Sequence, residues 1–358
     1  MNVLTLIILI FSIVGAIDKI FENRLGLGKE FEQAFMLLGT LALSMTGMIV
    51  MSPVIAKIIQ PFSEVFARVT GIDPSIIPAS LLANDMGGAA LSAEMSINSQ
   101  TGLFNALIVS SMMGCTISYT IPFALGMVNK EQHKELMLGL LCGIVTIPIG
   151  CFIAGIICRI SIVSLLILLI PLIIFSLFVA FGLVKYPELC VKVFKCFGLF
   201  VTVLITIGLV LGIIKFLTGI EIIHGISTIE EGMYICINAA IVLSGAFPFM
   251  CVLSKLLSKQ IKIISDKLGI NEHSVLGIIS CLVTSATTFG LMNKMDKKGV
   301  VLNSAFAVSG AFVFGGHLAF TMAFDKAYIW PMIIGKIVSG LSALLLANMI
   351  YFKNSKSH

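Results

Sequence analysis

Asp85 stands well inside an apolar run, whereas the other carboxylates fall at the ends of such runs or between them. It belongs to Asn84-Asp85-Met86-Gly87-Gly88, which follows Asp73-Pro74 and Pro78. A carboxylate at the centre of a bilayer costs about 2.5–3.5 kcal/mol on insertion scales, so it belongs against a cavity and a cation. No Lys or Arg lies in the same stretch, 74–93. A cationic substrate, a sodium ion or a proton is then the natural counter-charge. Asn-Asp before Gly-Gly is also ordinary turn and capping chemistry. Gly87 and Gly88 suit either close approach of backbone to a small ligand or close helix packing. A second polar stretch, Thr284-Ser285-Ala286-Thr287-Thr288, offers hydroxyls to a neutral polar group, or to its own helix backbone. His317, in Gly315-Gly316-His317, could bond a substrate, relay protons or tie two helices together. Tyr119, Phe289 and Phe314 could wall a cationic pocket, though membrane packing is the default for the 25 Phe of this chain.

The elements that must position these residues are membrane spans. Of 358 residues 58% are apolar and 11% charged, against about 45–50% and about 25% in soluble domains. An ordinary soluble enzyme is excluded. The net charge of +5 comes from Lys clustered in short loops between apolar runs, a mark of membrane orientation and not of nucleic acid. The nine cysteines form no CxxC pair and read as small buried apolar residues, with neither a metal site nor a disulfide framework. Residues 1–17 lack a basic leader and a small-residue cleavage site, so they are expected to stay as the first span.

Apolar periodicity predicts eleven segments, at about 2–17, 31–56, 74–93, 102–127, 136–158, 162–184, 193–217, 232–257, 274–292, 299–324 and 330–352. The third and ninth are interrupted. Sparse self-similarity at an offset of about 198 aligns Glu32, Ala42, Thr46 and Gly47 with Glu230, Ala240, Ser244 and Gly245, and Asn105 and Ser111 with Asn303 and Ser309. Both interrupted segments occupy the third place of a five-segment unit. If all eleven segments cross, basic residues divide evenly between the two faces. If the third and ninth turn back, only Lys57, Arg68, Arg159, Lys215 and Lys326 lie on one face and the other loop basics, Lys259 and Lys356 among them, on the other. The expectation is an all-α polytopic membrane protein with about nine full crossings, an inverted repeat and two re-entrant broken hairpins. The first repeat covers 1–158 with its re-entrant stretch at 74–93; a linking helix occupies 159–190; the second repeat covers 191–358 with its re-entrant stretch at 274–292. The N-terminus is expected outside and the C-terminus in the cytoplasm. Broken helices meeting at mid-membrane are where secondary transporters hold substrate.

Other signals favour structure over chemistry. The matched Asn105/Asn303 and Ser111/Ser309 suit helix packing, Glu32 and Glu230 suit helix N-termini, and Gly139-Leu-Leu-Cys-Gly143 is a packing motif. Glu272-His273 lacks the second histidine of HExxH, there is no GxSxG, and Gly335-Lys336 is followed by Ile337 inside a span, so no Walker A motif is present. An intramembrane enzyme or ATP-driven pump is unsupported. A carrier remains, with no cofactor.

The runs Phe31-Glu-Gln-Ala-Phe-Met36, Leu82-Ala-Asn-Asp85-Met-Gly-Gly88, Ser111-Met-Met-Gly114, Gly143-Ile-Val-Thr-Ile-Pro-Ile-Gly150, Phe289-Gly-Leu-Met-Asn-Lys-Met-Asp296, Asn303-Ser-Ala-Phe-Ala-Val-Ser309 and Pro331-Met-Ile-Ile-Gly-Lys336 resemble the ethanolamine permeases of the EutH family, in order over about residues 3–352. The resemblance implies uptake of ethanolamine across the cytoplasmic membrane, supplying a cytosolic lyase housed in a microcompartment. It implies that Asp85 pairs the ammonium and that Thr287, Thr288 or Asn84 takes the hydroxyl. That family often carries an acidic residue just before the histidine, where this chain has Gly316. The expected partners are ethanolamine and the lipid bilayer, with no nucleic acid; glycine-rich faces allow a homodimer without requiring one. The alternative is a sodium- or proton-coupled carrier of another small polar metabolite, in which Asp85 binds the coupling ion.

Overall fold

A computed structural model of the chain describes residues 3–258 and 260–355; Lys259 and Lys356 of the loop-charge pattern lie outside them. All the elements among the described residues are helical. Among the described residues eight helices are long and apolar enough to cross a membrane, as expected of a multi-pass protein. In chain order, α1 (Val3–Ile20) is followed by α2 (Leu27–Met36), which leads almost directly into α3 (Leu38–Thr70). Next come two short helices, α4 (Ile76–Leu81) and α5 (Gly88–Met95). A continuous helix then starts as α6 (Ser99–Phe104), winds through π-helical turns at Asn105–Gly114 and Thr116–Thr120, and ends as α7 (Ile121–Met127). The long spans α8 (His133–Ile157), α9 (Ile162–Lys185), α10 (Pro187–Thr218) and α11 (Ile229–Ser258) follow. After the short α12 (Ile261–Leu268) come α13 (Glu272–Cys281) and α14 (Ser285–Leu291), then α15 (Lys297–Gly310), α16 (Gly316–Phe324) and α17 (Ile329–Ser355).

The helices sort into two groups. In one, α1, α2, α3, α10 and α11 pack on one another; in the other, α8, α15 and α17 form the centre, with α9 against α8 and the π-helical span against α4 and α5. Gly139 and Gly143 bring α8 close to α15, because a Cβ on either would fall within 2.5 Å of Val301, Ser304 or Val308. The motif is a packing one here. Helices α9 and α10 turn long rows of Leu, Ile and Phe outward, as helices facing lipid do.

Both segments expected to be interrupted are broken. Between α4 and α5 the chain is extended at Leu82 and Ala83 and makes one 3-10 turn at Asn84–Met86; between α13 and α14 it leaves helix geometry around Thr284. The two ends of each broken segment are bonded to each other. The Asp73 carboxylate accepts from the Ser75 N–H and hydroxyl, and from the N–H groups of Ile97 and Asn98, at 2.6–3.0 Å. In the second half Asn271 Oδ1 accepts from the Ser274 N–H and hydroxyl, while Asp296 accepts from the Asn271 N–H and the Ser274 hydroxyl. Asn98 caps α6 and Asp296 caps α15. Asp73 and Asn98 thus do the work of Asn271 and Asp296, with acid and amide exchanged. The matched asparagines behave alike too: Asn105 donates to Ser75 Oγ at 2.8 Å, and Asn303 to the Ser274 carbonyl at 2.9 Å.

One expected crossing differs. Segment 299–324 is not a single span, because α15 ends at Gly310 and α16 starts at Gly316. The reason is backbone satisfaction. The N–H groups of Phe312 and Phe314 leave their own helix to donate to the Cys281 and Leu282 carbonyls, freed by the break after α13. In the first half the Ser118 hydroxyl accepts from the Ala83 N–H, so that helix can stay continuous and relieves the crowding with π turns. Replacing Asp73 by alanine leaves four donors without their acceptor. The expected cost is about 2 kcal/mol, read as a lower thermal midpoint of the purified protein in detergent; Asp73→Asn recovers only part, because its amide oxygen can serve Ser75 as Asn271 serves Ser274, but its amide nitrogen cannot accept from Ile97 and Asn98.

Candidate functional site

A cavity of about 430 Å³ lies in the seam between the two helix groups. Glu30, Gln33, Thr40, Leu41 and Ser44 line it from α2 and α3, and Leu243 and Phe247 from α11. The other wall is made where helices break: Ala83, Asp85 and Met86 between α4 and α5, Val283 and Thr284 between α13 and α14, Phe312 in the break before α16, and Gly316 and His317 in the first turn of α16. Cys115 and Tyr119 of the π-helical span complete it. Each break frees the backbone from helix geometry, and the cavity collects the side chains held there.

Asp85 faces this space with its side chain 24% exposed, and its Oδ1 lies 3.9 Å from Nε2 of His317. That separation is too long for a hydrogen bond, so the carboxylate keeps room for a donor from a ligand. His317 is 1% exposed, its Nδ1 has no partner among the described residues, and its ring lies 5.1 Å from that of Phe312. An acid, an imidazole, a phenol and aromatic faces around a half-open space suit a small organic cation with a second, neutral polar end.

The other expected site residues are distributed differently. Asn84 is fully buried on the far side of its turn, with both side-chain polar atoms lacking partners, and does not line the cavity. Gly87 has φ +92° and meets α3: an added Cβ would fall 1.7 Å from Cγ of Met48. Gly88 is closed off by the carbonyls of Leu82 and Ala83. Both glycines serve packing at the break. On the second stretch only Thr284 lines the cavity. Ser285 is buried without a partner, Thr288 donates to the Gly277 carbonyl at 2.9 Å, and Thr287 is exposed elsewhere. Tyr119 lines the cavity as an aromatic wall, but Phe289 packs towards Phe123 and Phe314 towards Phe249. Phe312 and Phe247 take the places expected of them.

Residues not singled out by sequence also matter. Glu30, Gln33, Thr40 and Ser44 give the cavity a polar strip along α2 and α3; their spacing of three, seven and four residues was the available signal. Lys336 of α17 is 1% exposed and donates to the Ser111 carbonyl at 2.6 Å. Its charge acts on both Asp85 and His317. The broken stretch bearing Asp85 has no basic residue, yet the surrounding core does.

A second cavity of about 310 Å³ is lined by the same elements further along: Ile49, Ser52 and Pro53 of α3, Ala90, Ala93 and Glu94 of α5, Glu231, Tyr234 and Ile235 of α11, and Phe324 of α16. Along the helices that reach both cavities, the residues between the two sets of lining residues include buried Met45, Thr46, Met48, Ala89, Ala239, Ala240 and Phe320. On α11 this layer runs from Ile235 to Leu243, about 12 Å at 1.5 Å per residue.

A model of the family described as "Ethanolamine utilisation protein, EutH" matches residues 1–350. The chain belongs to the EutH family. It is 43% identical over 357 residues to a probable ethanolamine permease EutH of Listeria monocytogenes serotype 1/2a (strain 10403S), covering 99% of this chain and 96% of that one. It is 34% identical over 387 residues to a probable ethanolamine permease EutH of Escherichia coli (strain K12), covering 98% and 95%. It is also 38% identical over 338 residues to the uncharacterized protein YxeR of Bacillus subtilis (strain 168), covering 94% and 91%. No solved structure matches. In this EutH-family chain, Gly87→Ala is expected to lower the thermal midpoint markedly, by about 2–3 kcal/mol of stability. Met48→Ala should restore only part of it, since the left-handed backbone at 87 remains.

Proposed function

We propose that this chain is a permease that takes up ethanolamine across the cytoplasmic membrane, holding it as the ammonium ion beside Asp85. The observation that carries the reading is a carboxylate facing a half-open cavity where broken helices meet, in a chain whose relatives are named probable ethanolamine permeases. A primary amine is mostly protonated at neutral pH, given a lysine-like pKa of about 10.4, and so crosses lipid poorly unaided. Asp85 accepts from the ammonium. The hydroxyl end falls to His317, Tyr119 or Thr284, which share the cavity, in place of Asn84, Thr287 and Thr288, which do not line it.

The inverted repeat with two re-entrant hairpins is part of this reading. It is supported by the Asp73–Asn98 and Asn271–Asp296 closures, which bring the two ends of each broken segment together at positions matched across the offset. The same reading sets the first repeat at 1–158, the linking helix at 159–190 and the second repeat at 191–358. With the N-terminus outside, Lys19, Arg24 and Lys29 flank the cavity mouth at Glu30 and Gln33 on the cytoplasmic face. The described state is therefore open inward, and the smaller cavity with Glu94 and Glu231 is the outer vestibule of the same path. Transport moves the two helix groups against each other so that the Met45–Met48 layer opens as the inner mouth closes.

Asp85→Asn should abolish protein-dependent uptake of labelled ethanolamine at acidic external pH while the protein still folds and reaches the membrane. Unchanged uptake in that variant sinks the assignment of Asp85. Thr287→Ala, at an exposed position away from the cavity, should leave uptake at the wild-type rate.

A further inference from the structure

The amine of Lys336 is the buried charge that transport by Asp85 alone does not use. Its Nζ has one hydrogen-bond partner, the Ser111 carbonyl, although an ammonium carries three donors; no carboxylate lies within 4 Å of it among the described residues. The titratable groups around it come from every wall of its surroundings: Asp85 from the α4–α5 break, the neutral thiols of Cys115 from the π-helical span, Cys151 from α8 and Cys281 from α13, and the His317 imidazole from α16. Helix α15, also packed on α17, offers nothing titratable there, because Lys297 and Lys298 are in its first turn. Asp85 is the acid of this set. Cys115, one turn beyond Ser111, lines the substrate cavity, so the amine lies about one helical turn from cavity water.

Charge bookkeeping in a dry core follows from this arrangement. An isolated buried charge is costly, and an opposed pair much less so. With the cavity empty, the Asp85 carboxylate and a Lys336 ammonium sum to zero. A substrate ammonium arriving beside Asp85 leaves one uncompensated positive charge, unless a proton leaves. Lysine, unlike arginine, can release a proton in such a setting.

Resting on the permease reading above, we propose that Lys336 keeps the site neutral, as an ammonium opposite Asp85 in the empty carrier and as a neutral amine once an organic ammonium is bound, so that each cation taken in is exchanged for one proton. In this step an N–H bond of the Lys336 ammonium breaks, its electron pair stays on Nζ, and the proton passes to cavity water. On substrate release the amine takes up a proton again. Lys336 positions charge and does not itself touch the substrate, and net transport is electroneutral.

The test uses the purified full chain in liposomes, with labelled ethanolamine, initial rates, and protein-free vesicles subtracted. For the wild type, an inside-negative potential at equal pH should leave the rate unchanged, while an inside-acid gradient should raise it several-fold. In detergent, a pH-indicator dye should report about one proton released per ethanolamine bound. Lys336→Met should make uptake potential-driven, and Lys336→Arg, whose charge is permanent, should lose uptake while staying folded. A wild-type rate raised several-fold by potential alone, or binding without proton release, overturns the role of Lys336 and leaves the permease reading standing. Lys336→Met uptake that still ignores potential also overturns it. If Lys336→Met fails to fold, the wild-type proton count decides. No protein-dependent ethanolamine uptake under any gradient overturns the permease reading and this inference with it.

Discussion

Backbone polar groups that leave helix geometry inside a membrane must find partners within the protein, and the arrangement of this chain follows from meeting that demand twice. In the first half a side-chain hydroxyl, Ser118, meets the Ala83 N–H, and the neighbouring helix absorbs the crowding as π turns. In the second half the donors are backbone N–H groups of Phe312 and Phe314, and providing them costs the continuity of a span. The cavity sits where these accommodations meet. It is a by-product of satisfied breaks, and its chemistry is set by which side chains the breaks leave facing inward.

Much of this was legible in the residues. Asp85 was identifiable because an acid within an apolar run is rare and expensive; Pro and Gly marked the first broken segment, and the run of hydroxyls from Thr284 to Thr288 marked the second. The break at Ala311–Gly315 was hidden, because Phe-Val-Phe reads as ordinary span and its unwinding answers carbonyls about thirty residues earlier in the chain. The hydroxyls of the second stretch could not be sorted in advance, since the helix restarts at Ser285 in a register that turns Thr284 to the cavity, Thr288 to Gly277 and Thr287 outward. Lys336 was visible as a basic residue within the last span, but its nearness to Asp85 depends on how α17 packs against elements more than two hundred residues away.

The self-similarity between the two halves was faint for a related reason. Identity matching cannot see that Asp73 and Asn98 are answered by Asn271 and Asp296, because the acid has changed ends while the hydrogen bonds have stayed. The two closures are alike as a pattern of donors and acceptors and not as residue identities. Likewise the polar strip of Glu30, Gln33, Thr40 and Ser44 is unremarkable as composition and acquires meaning only beside a cavity.

Each closure joins residues 25 positions apart, Asn98 to Asp73 and Asn271 to Asp296. Such short-range links can form as soon as the local stretch leaves the ribosome, before the complementary half has been synthesised. A nascent chain halted after its first unit would already carry a sealed loop, with no long-lived unpaired backbone exposed to lipid. Biogenesis of the protein can therefore seal each broken stretch as it is inserted, whereas the two helix groups, each drawing helices from both halves of the chain, assemble only after the second half has followed.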